Sequence, residues 1–203
     1  MKNFSNTYIF LYISALVVII AVVLSVVSIG LKPLREANVQ AEKCQQILHA
    51  AGYHDVERKQ SVELFSKVAE KMQKADNEEV YRIRCIDGAD GYAVRLDGKG
   101  LWGPIWGYAV LSEDGTILKG VAFDHKSETP GLGAKITEEA FLKAFEGKKL
   151  YDKDGKFVSV RVLKAGTASE VADENRVDAI SGATLTSKGV DAMFSNDLLN
   201  IKD

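Results

Sequence analysis

The stretch Ile105-Trp106-Gly107-Tyr108-Ala109-Val110-Leu111-Ser112-Glu113-Asp114-Gly115-Thr116-Ile117-Leu118-Lys119-Gly120-Val121-Ala122-Phe123 decides the fold. Two apolar runs, Ile105 to Leu111 and Ile117 to Phe123, flank five residues with an Asp-Gly turn signal, and that pattern is a hairpin. Upstream, Val80 to Ile86 and Tyr92 to Leu96 read as strands; downstream, Val158 to Leu163 returns as one. The result is a small antiparallel sheet. Helical spacing surrounds it. Leu34 to Ala51 carries Leu34, Val39, Ile47, Leu48 and Ala51 among polar residues, with Gly52 as a stop. Ser61 is placed to cap a second helix whose Val62, Phe65, Val68, Ala69 and Met72 form one apolar stripe, read as core packing. Thr137-Glu138-Glu139 opens a third helix through Phe145, and Ser187 to Leu199 a final one. Helices segregated around an antiparallel meander make an α+β domain, with a small antiparallel sheet flanked by helices.

One segment lies outside that domain. From Tyr8 to Gly30 there is no Asp, Glu, Lys, Arg or His, and as a helix this run spans about 34 Å, enough to cross a bilayer. A cleaved signal peptide normally has a shorter apolar region behind a more basic start. The expected organisation is therefore a short tail (1–7), a single transmembrane anchor (8–30) and one soluble domain (31–203). Lys2 and the terminal amine lie on one side and Lys32 and Arg35 on the other, so charge does not fix the orientation.

Composition removes several function classes. With 203 residues the chain has no room for two large catalytic domains. A net charge of -2, with no basic stripe interleaved with aromatics, argues against nucleic acid as a partner. His49, His54 and His125 are scattered through the sequence, with no HExxH and no Cys/His pair at zinc spacing, so no metal site is expected. Cys44 and Cys85 lie outside any C-x-x-C motif and read as free or buried thiols. Ser181 lacks the first glycine of a G-x-S-x-G elbow, which leaves a serine hydrolase as a weak alternative.

Three stretches are not accounted for by packing periodicity. Glu128-Thr129-Pro130-Gly131-Leu132-Gly133 places two glycines around a leucine between a strand and a helix, where glycine admits positive φ and close approach. Asp178-Ala179-Ile180-Ser181-Gly182-Ala183-Thr184-Leu185-Thr186-Ser187 gathers small and hydroxyl residues before the last helix. Free amides there, with the hydroxyls of Ser181, Thr184, Thr186 and Ser187, make a ready phosphate site, although Ser/Thr capping explains the same residues. Gly100 to Gly107 holds both tryptophans, Trp102 and Trp106, between glycines; either can pack on a flat ligand or on the protein itself.

Ser181-Gly182-Ala183-Thr184 after Asp178, together with Glu128-Thr129-Pro130-Gly131-Leu132-Gly133 and an amino-terminal anchor, resembles the two signatures of the FMN-binding domain family. The resemblance departs at Ala179, where the family commonly has glycine. It implies that Thr184 is joined to FMN through the flavin phosphate, so its hydroxyl is a tether and not a nucleophile. It also implies that Ser181, Gly182, Ala183, Leu185 and Thr186 surround the attachment point, and that Glu128, Thr129, Gly131, Leu132 and Gly133 border the ring with Trp102 or Trp106. Asp178 is then assigned to recognition by a flavin transferase that uses FAD as FMN donor.

The activity implied is electron transfer in the membrane complex of a Na+-pumping NADH:quinone oxidoreductase. No catalytic side chain is expected and the other subunits are the partners. An Rnf-type ferredoxin:NAD+ complex is the near alternative, and an anchored module holding FMN or another ligand without a covalent bond is a further one. The implied location is the bacterial inner membrane, with the soluble domain in the periplasm.

Overall fold

The computed structural model describes residues 5–72, 79–166 and 171–199. Helix α1 (Asn6–Ala50) runs for 45 residues, so the expected anchor and the expected helix from Leu34 are one continuous element with Pro33 inside it. The chain divides after Gln40 into two compact units. In the first, the apolar side chains from Tyr8 to Ile29 are exposed, and a stretch of α1 reaches a mean hydropathy of 3.0 with none of it buried. In the second, Ala41, Cys44, Ile47, Leu48 and Ala50 of the same helix are buried.

The second unit is an α+β domain. Strands β1 (Ala69–Met72), β2 (Val80–Arg84), β3 (Asp90–Lys99), β4 (Pro104–Ser112) and β5 (Leu118–His125) form one antiparallel sheet in sequence order. Both faces are covered. Ile47, Leu48 and Ala51 pack with Tyr81, Ile83, Tyr108 and Val110 on one face, and Val94, Leu96, Ile105 and Leu111 pack with Phe141, Phe145, Val190 and Phe194 on the other. A strand buried on both faces has no polar side to alternate with, which is why Tyr108 to Leu111 is continuously apolar. Phe145 and Phe194 stack at 5.2 Å between centroids, and Phe123 meets both edge-on.

Several sequence expectations need correction here. Helix α2 (Arg58–Val68) starts at Glu57, not Ser61; the buried Ser61 hydroxyl instead lies 2.8 and 2.9 Å from the carbonyl oxygens of Arg58 and Ala41. The apolar stripe expected to Met72 is cut at Val68, because Ala69 to Met72 pair with β2, and Val62 and Met72 are exposed. Where Thr137 was expected to open a helix, a 3-10 turn (Gly133–Thr137) precedes a short α3 (Glu139–Lys143) with Glu138 at its cap. The Val158 strand shortens to β6 (Arg161–Leu163), which pairs in parallel with β7 (Arg176–Asp178) as a separate two-stranded sheet. Helix α4 (Thr184–Asp197) begins three residues before Ser187.

Candidate functional site

Three segments meet at one end of the large sheet. The turn joining β3 to β4 carries Trp102, closed by the Gly100 N–H on the Gly103 carbonyl at 2.8 Å. The segment leaving β5 carries Glu128 to Gly133, held beside that turn by the Lys126 N–H on the Pro104 carbonyl at 3.1 Å. Helix α4 lies against β3 so closely that a Cβ on Gly189 would strike the Lys99 carbonyl oxygen, and one on Gly98 would strike Met193. This approach brings the start of α4 to the same end.

Glu128 joins all three. Its carboxyl group is 5% exposed; Oε2 accepts the Thr186 hydroxyl at 2.6 Å and Oε1 accepts the Trp102 N–H at 2.9 Å. Gly133 and Gly100 crowd the two carboxyl oxygens, leaving no room for a Cβ. Gly131 has φ +76° and Gly182 has φ +79°, and a Cβ on Gly182 would sit 3.0 Å from Leu132 Cδ2. The two signature loops are therefore in contact at Leu132 and Gly182 as well as through Glu128 and Thr186.

The exposed side of the junction is open to a ligand. Thr184 is the first residue of α4 and is exposed, as are Ser181, Gly182 and Leu185. It faces a cleft of about 560 Å³ lined also by Arg161, Lys164, Ile180 and Lys188. Lys188 stands one turn after Thr184 on the same helix face. Arg161 is held by Asp191 through two contacts of 2.9 and 3.1 Å; these hydrogen bonds push its guanidinium pKa up, against a smaller opposing effect of burial. Asp191 also accepts the Val162 N–H at 2.7 Å, which ties α4 to β6. Two ammonium groups and the unpaired amides of a helix start suit a phosphate monoester or diester. The exposed Leu132 and Trp102 (43% and 65%) offer apolar surface for a planar group. The residues present fit an FMN.

Not every expected site residue faces that cleft. Thr186 and Ser187 were expected to offer hydroxyls to a phosphate, but both are buried; Thr186 is committed to Glu128, and Ser187 Oγ accepts the Ile180 N–H at 3.1 Å. Ala183 is buried at the helix cap. In the other loop, the N–H groups of Leu132 and Ala134 are taken by the Thr129 carbonyl, so they serve the turn, while the Thr129 side chain is exposed. Trp106 is half-buried within β4, and Trp102 is the exposed member of the pair. Asp178 ends β7, outward-facing, 3.4 Å from the Arg176 guanidinium.

Sequence reasoning missed Lys164, Lys188, Arg161 and Asp191. Lys188 was legible as the i+4 neighbour of Thr184 once α4 is started at the right residue; the Arg161–Asp191 pair depends on tertiary contact alone. The histidines also need correction: His49 and His54 are not apart, because Gly52 at φ +94° turns the chain back after α1 and brings the ring centroids to 4.6 Å. Cys44 and Cys85 are both buried and unbonded to each other.

Residues 100–198 match the model of the FMN-binding domain family. The crystal structure of the NqrC protein of the Na(+)-translocating NADH-quinone reductase from Parabacteroides distasonis superimposes with a TM-score of 0.73 at 35% identity, covering 83% of this chain and 93% of that one. The Shewanella oneidensis NqrC structure gives 0.60 at 26% identity, over 76% and 90% of the two chains. The corresponding protein of the Na(+)-translocating NADH-quinone reductase from Neisseria meningitidis is 37% identical over 123 residues, which is 60% of this chain. The matched stretch spans about half of that relative's length, at 46%. The chain belongs to the FMN-binding domain family, among the relatives of NqrC of the Na(+)-translocating NADH-quinone reductase.

Proposed function

We propose that the chain is an electron-transfer subunit of a Na+-translocating NADH:quinone reductase, anchored in the bacterial inner membrane by α1, with FMN esterified through its phosphate to Thr184. The observation that carries the reading is Thr184 itself, exposed at the first position of α4 beside a cleft that holds Lys164 and Lys188. A phosphodiester keeps one negative charge, and the helix start and the two ammonium groups favour it there.

The flavin, when bound, supplies the redox chemistry. The chain's residues fix where it sits. The Glu128 bridge holds the two signature loops at one separation, Leu132 and Trp102 screen an apolar ligand from water, and the Arg161–Asp191 pair keeps α4 and β6 in register. Attachment by a flavin transferase requires the Thr184 oxygen to bond the flavin-side phosphorus of FAD while AMP leaves and the hydroxyl proton is lost. The outward position of Asp178 suits a recognition contact with that enzyme. The other subunits of the complex supply the electron donor and acceptor, and the soluble unit faces the periplasm, where a covalent tether prevents loss of a flavin made in the cytoplasm.

The test is flavin fluorescence in a denaturing gel, with wild type and Thr184→Val each produced with and without a flavin transferase. A fluorescent band only for wild type with transferase is expected. A dark wild-type band, with the transferase active on a control protein, would contradict the tether.

A further inference from the structure

Away from the flavin cleft, three ligand-type side chains converge beside the edge strand β5. His49 lies in the last turn of α1, His54 follows the Gly52 turn, and Glu139 opens α3. His49 Nε2 is 3.2 Å from His54 Nδ1 and 3.2 Å from Glu139 Oε2, and His54 Nδ1 is 4.0 Å from Glu139 Oε1. No residue of the FMN-binding signatures takes part.

These separations are those of ligands around one small cation. With metal–ligand bonds of about 2.0–2.1 Å, the edge of a tetrahedron is about 3.3–3.4 Å. Hydrogen bonding alone leaves the cluster incomplete. Two ring nitrogens and a carboxylate crowd one point, and a single N–H on His49 Nε2 cannot serve both neighbours at full strength. The other nitrogen of the same ring, His49 Nδ1, is buried and has no hydrogen-bond partner among the described residues. The ring's polar contacts are thus confined to the side where His54 and Glu139 meet. A pocket of about 240 Å³, bordered by Gln46, Tyr53 and Thr137, adjoins the three residues and leaves room for water as a fourth ligand.

We propose that His49, His54 and Glu139 form a binding site for a divalent transition ion of the zinc type. Two imidazoles and one carboxylate are a borderline ligand set that suits such an ion better than calcium or magnesium. Glu42 and Arg58 border the same pocket, with the Arg58 guanidinium 4.0 Å from Glu42, and Lys143 approaches Glu139 Oε1 at 3.5 Å. Lys143 is exposed and turns to solvent when the carboxylate takes a metal. A bound ion ties the end of α1, on one face of the sheet, to the start of α3 on the other, around β5.

The experiment uses the full chain in detergent, without an affinity tag and stripped by a chelator. Zn2+ is titrated calorimetrically and Co2+ is followed by its visible absorption. One Zn2+ per chain and a tetrahedral Co2+ spectrum are expected, with binding weakened at least about tenfold in His54→Gln and in Glu139→Gln. Both positions are surface-exposed, so these variants fold; unchanged thermal melting without metal checks it. No stoichiometric binding, or binding equally tight in His54→Gln, would overturn the site. Neither readout involves flavin.

Discussion

The Thr186 hydroxyl donates to Glu128 Oε2 at 2.6 Å across 58 residues of sequence, in a buried position. That bond joins the segment after β5 to the first turn of α4, and the Trp102 N–H on the other carboxyl oxygen brings in the β3–β4 turn. Removing the hydroxyl strands a buried acceptor. Thr186→Val is expected to cost about 1–3 kcal/mol. Chemical denaturation of the single and double variants with Glu128→Ala will show non-additivity, because either change removes the same bond.

The two glycines of the same loop differ in kind. Gly131 has a left-handed backbone with open space around its Cβ position, so Gly131→Ala adds only backbone strain, about 1–2 kcal/mol. Gly133→Ala instead drives a methyl group into Glu128 Oε2 and Thr186 Oγ1. Its cost of about 1–3 kcal/mol is expected to be less than additive with Thr186→Val, whereas Gly131→Ala adds fully. Unfolding midpoints of the four variants decide this.

Support of the cleft and contact with the ligand separate by mutation. Asp191→Ala removes the partner of Arg161 and the acceptor of the Val162 N–H, at about 1–2 kcal/mol given the partial exposure of the pair. Lys164→Gln and Lys188→Gln leave the melting temperature unchanged but slow flavin attachment by about two- to tenfold, more so at low salt. Time courses of covalent flavin incorporation together with thermal melts test the distinction.

Acid sensitivity is expected at the β4–β5 turn. Asp114 accepts the hydroxyls of Ser112 and Thr116 at 2.5 and 2.8 Å and the Thr116 N–H at 3.0 Å. These hydrogen bonds, Ser112 first, hold its carboxyl below the ordinary 3.8, with desolvation opposing them. A carboxyl depressed on folding stabilises the fold above 3.8, and the contribution is lost as pH falls through the lower folded value. Asp114→Asn is therefore less stable than wild type near neutrality, and the gap closes in acid. Denaturation midpoints followed from neutral pH into acid measure it.

Much of the sheet was legible because Tyr108 to Leu111 and Leu118 to Phe123 are apolar runs of strand length bounded by a turn signal. Helix starts were less so. Ser61 and Thr137 carry capping chemistry, but Glu57 and Glu138 occupy the caps, since the hydroxyl of Ser61 is drawn into a tertiary bond with α1. Met72 continued a helical spacing that pairing with β2 overrode. The parallel β6–β7 pair carries only three residues per strand, too few for a period to register. Within the site, Thr184 and Glu128 stood out by motif; the inward turn of Thr186 and Ser187, the support from Asp191 and the meeting of His49 with His54 depend on residues far apart in the chain or on a single glycine turn.

The most direct measurement of the central claim is mass spectrometry of the tryptic peptide 177–188, cut after Arg176 and after Lys188, from full chain made with a flavin transferase. The expected result is a peptide heavier by one esterified FMN, with fragmentation assigning the adduct to Thr184. An unmodified peptide, or an adduct on Ser181, Thr186 or Ser187, would contradict it.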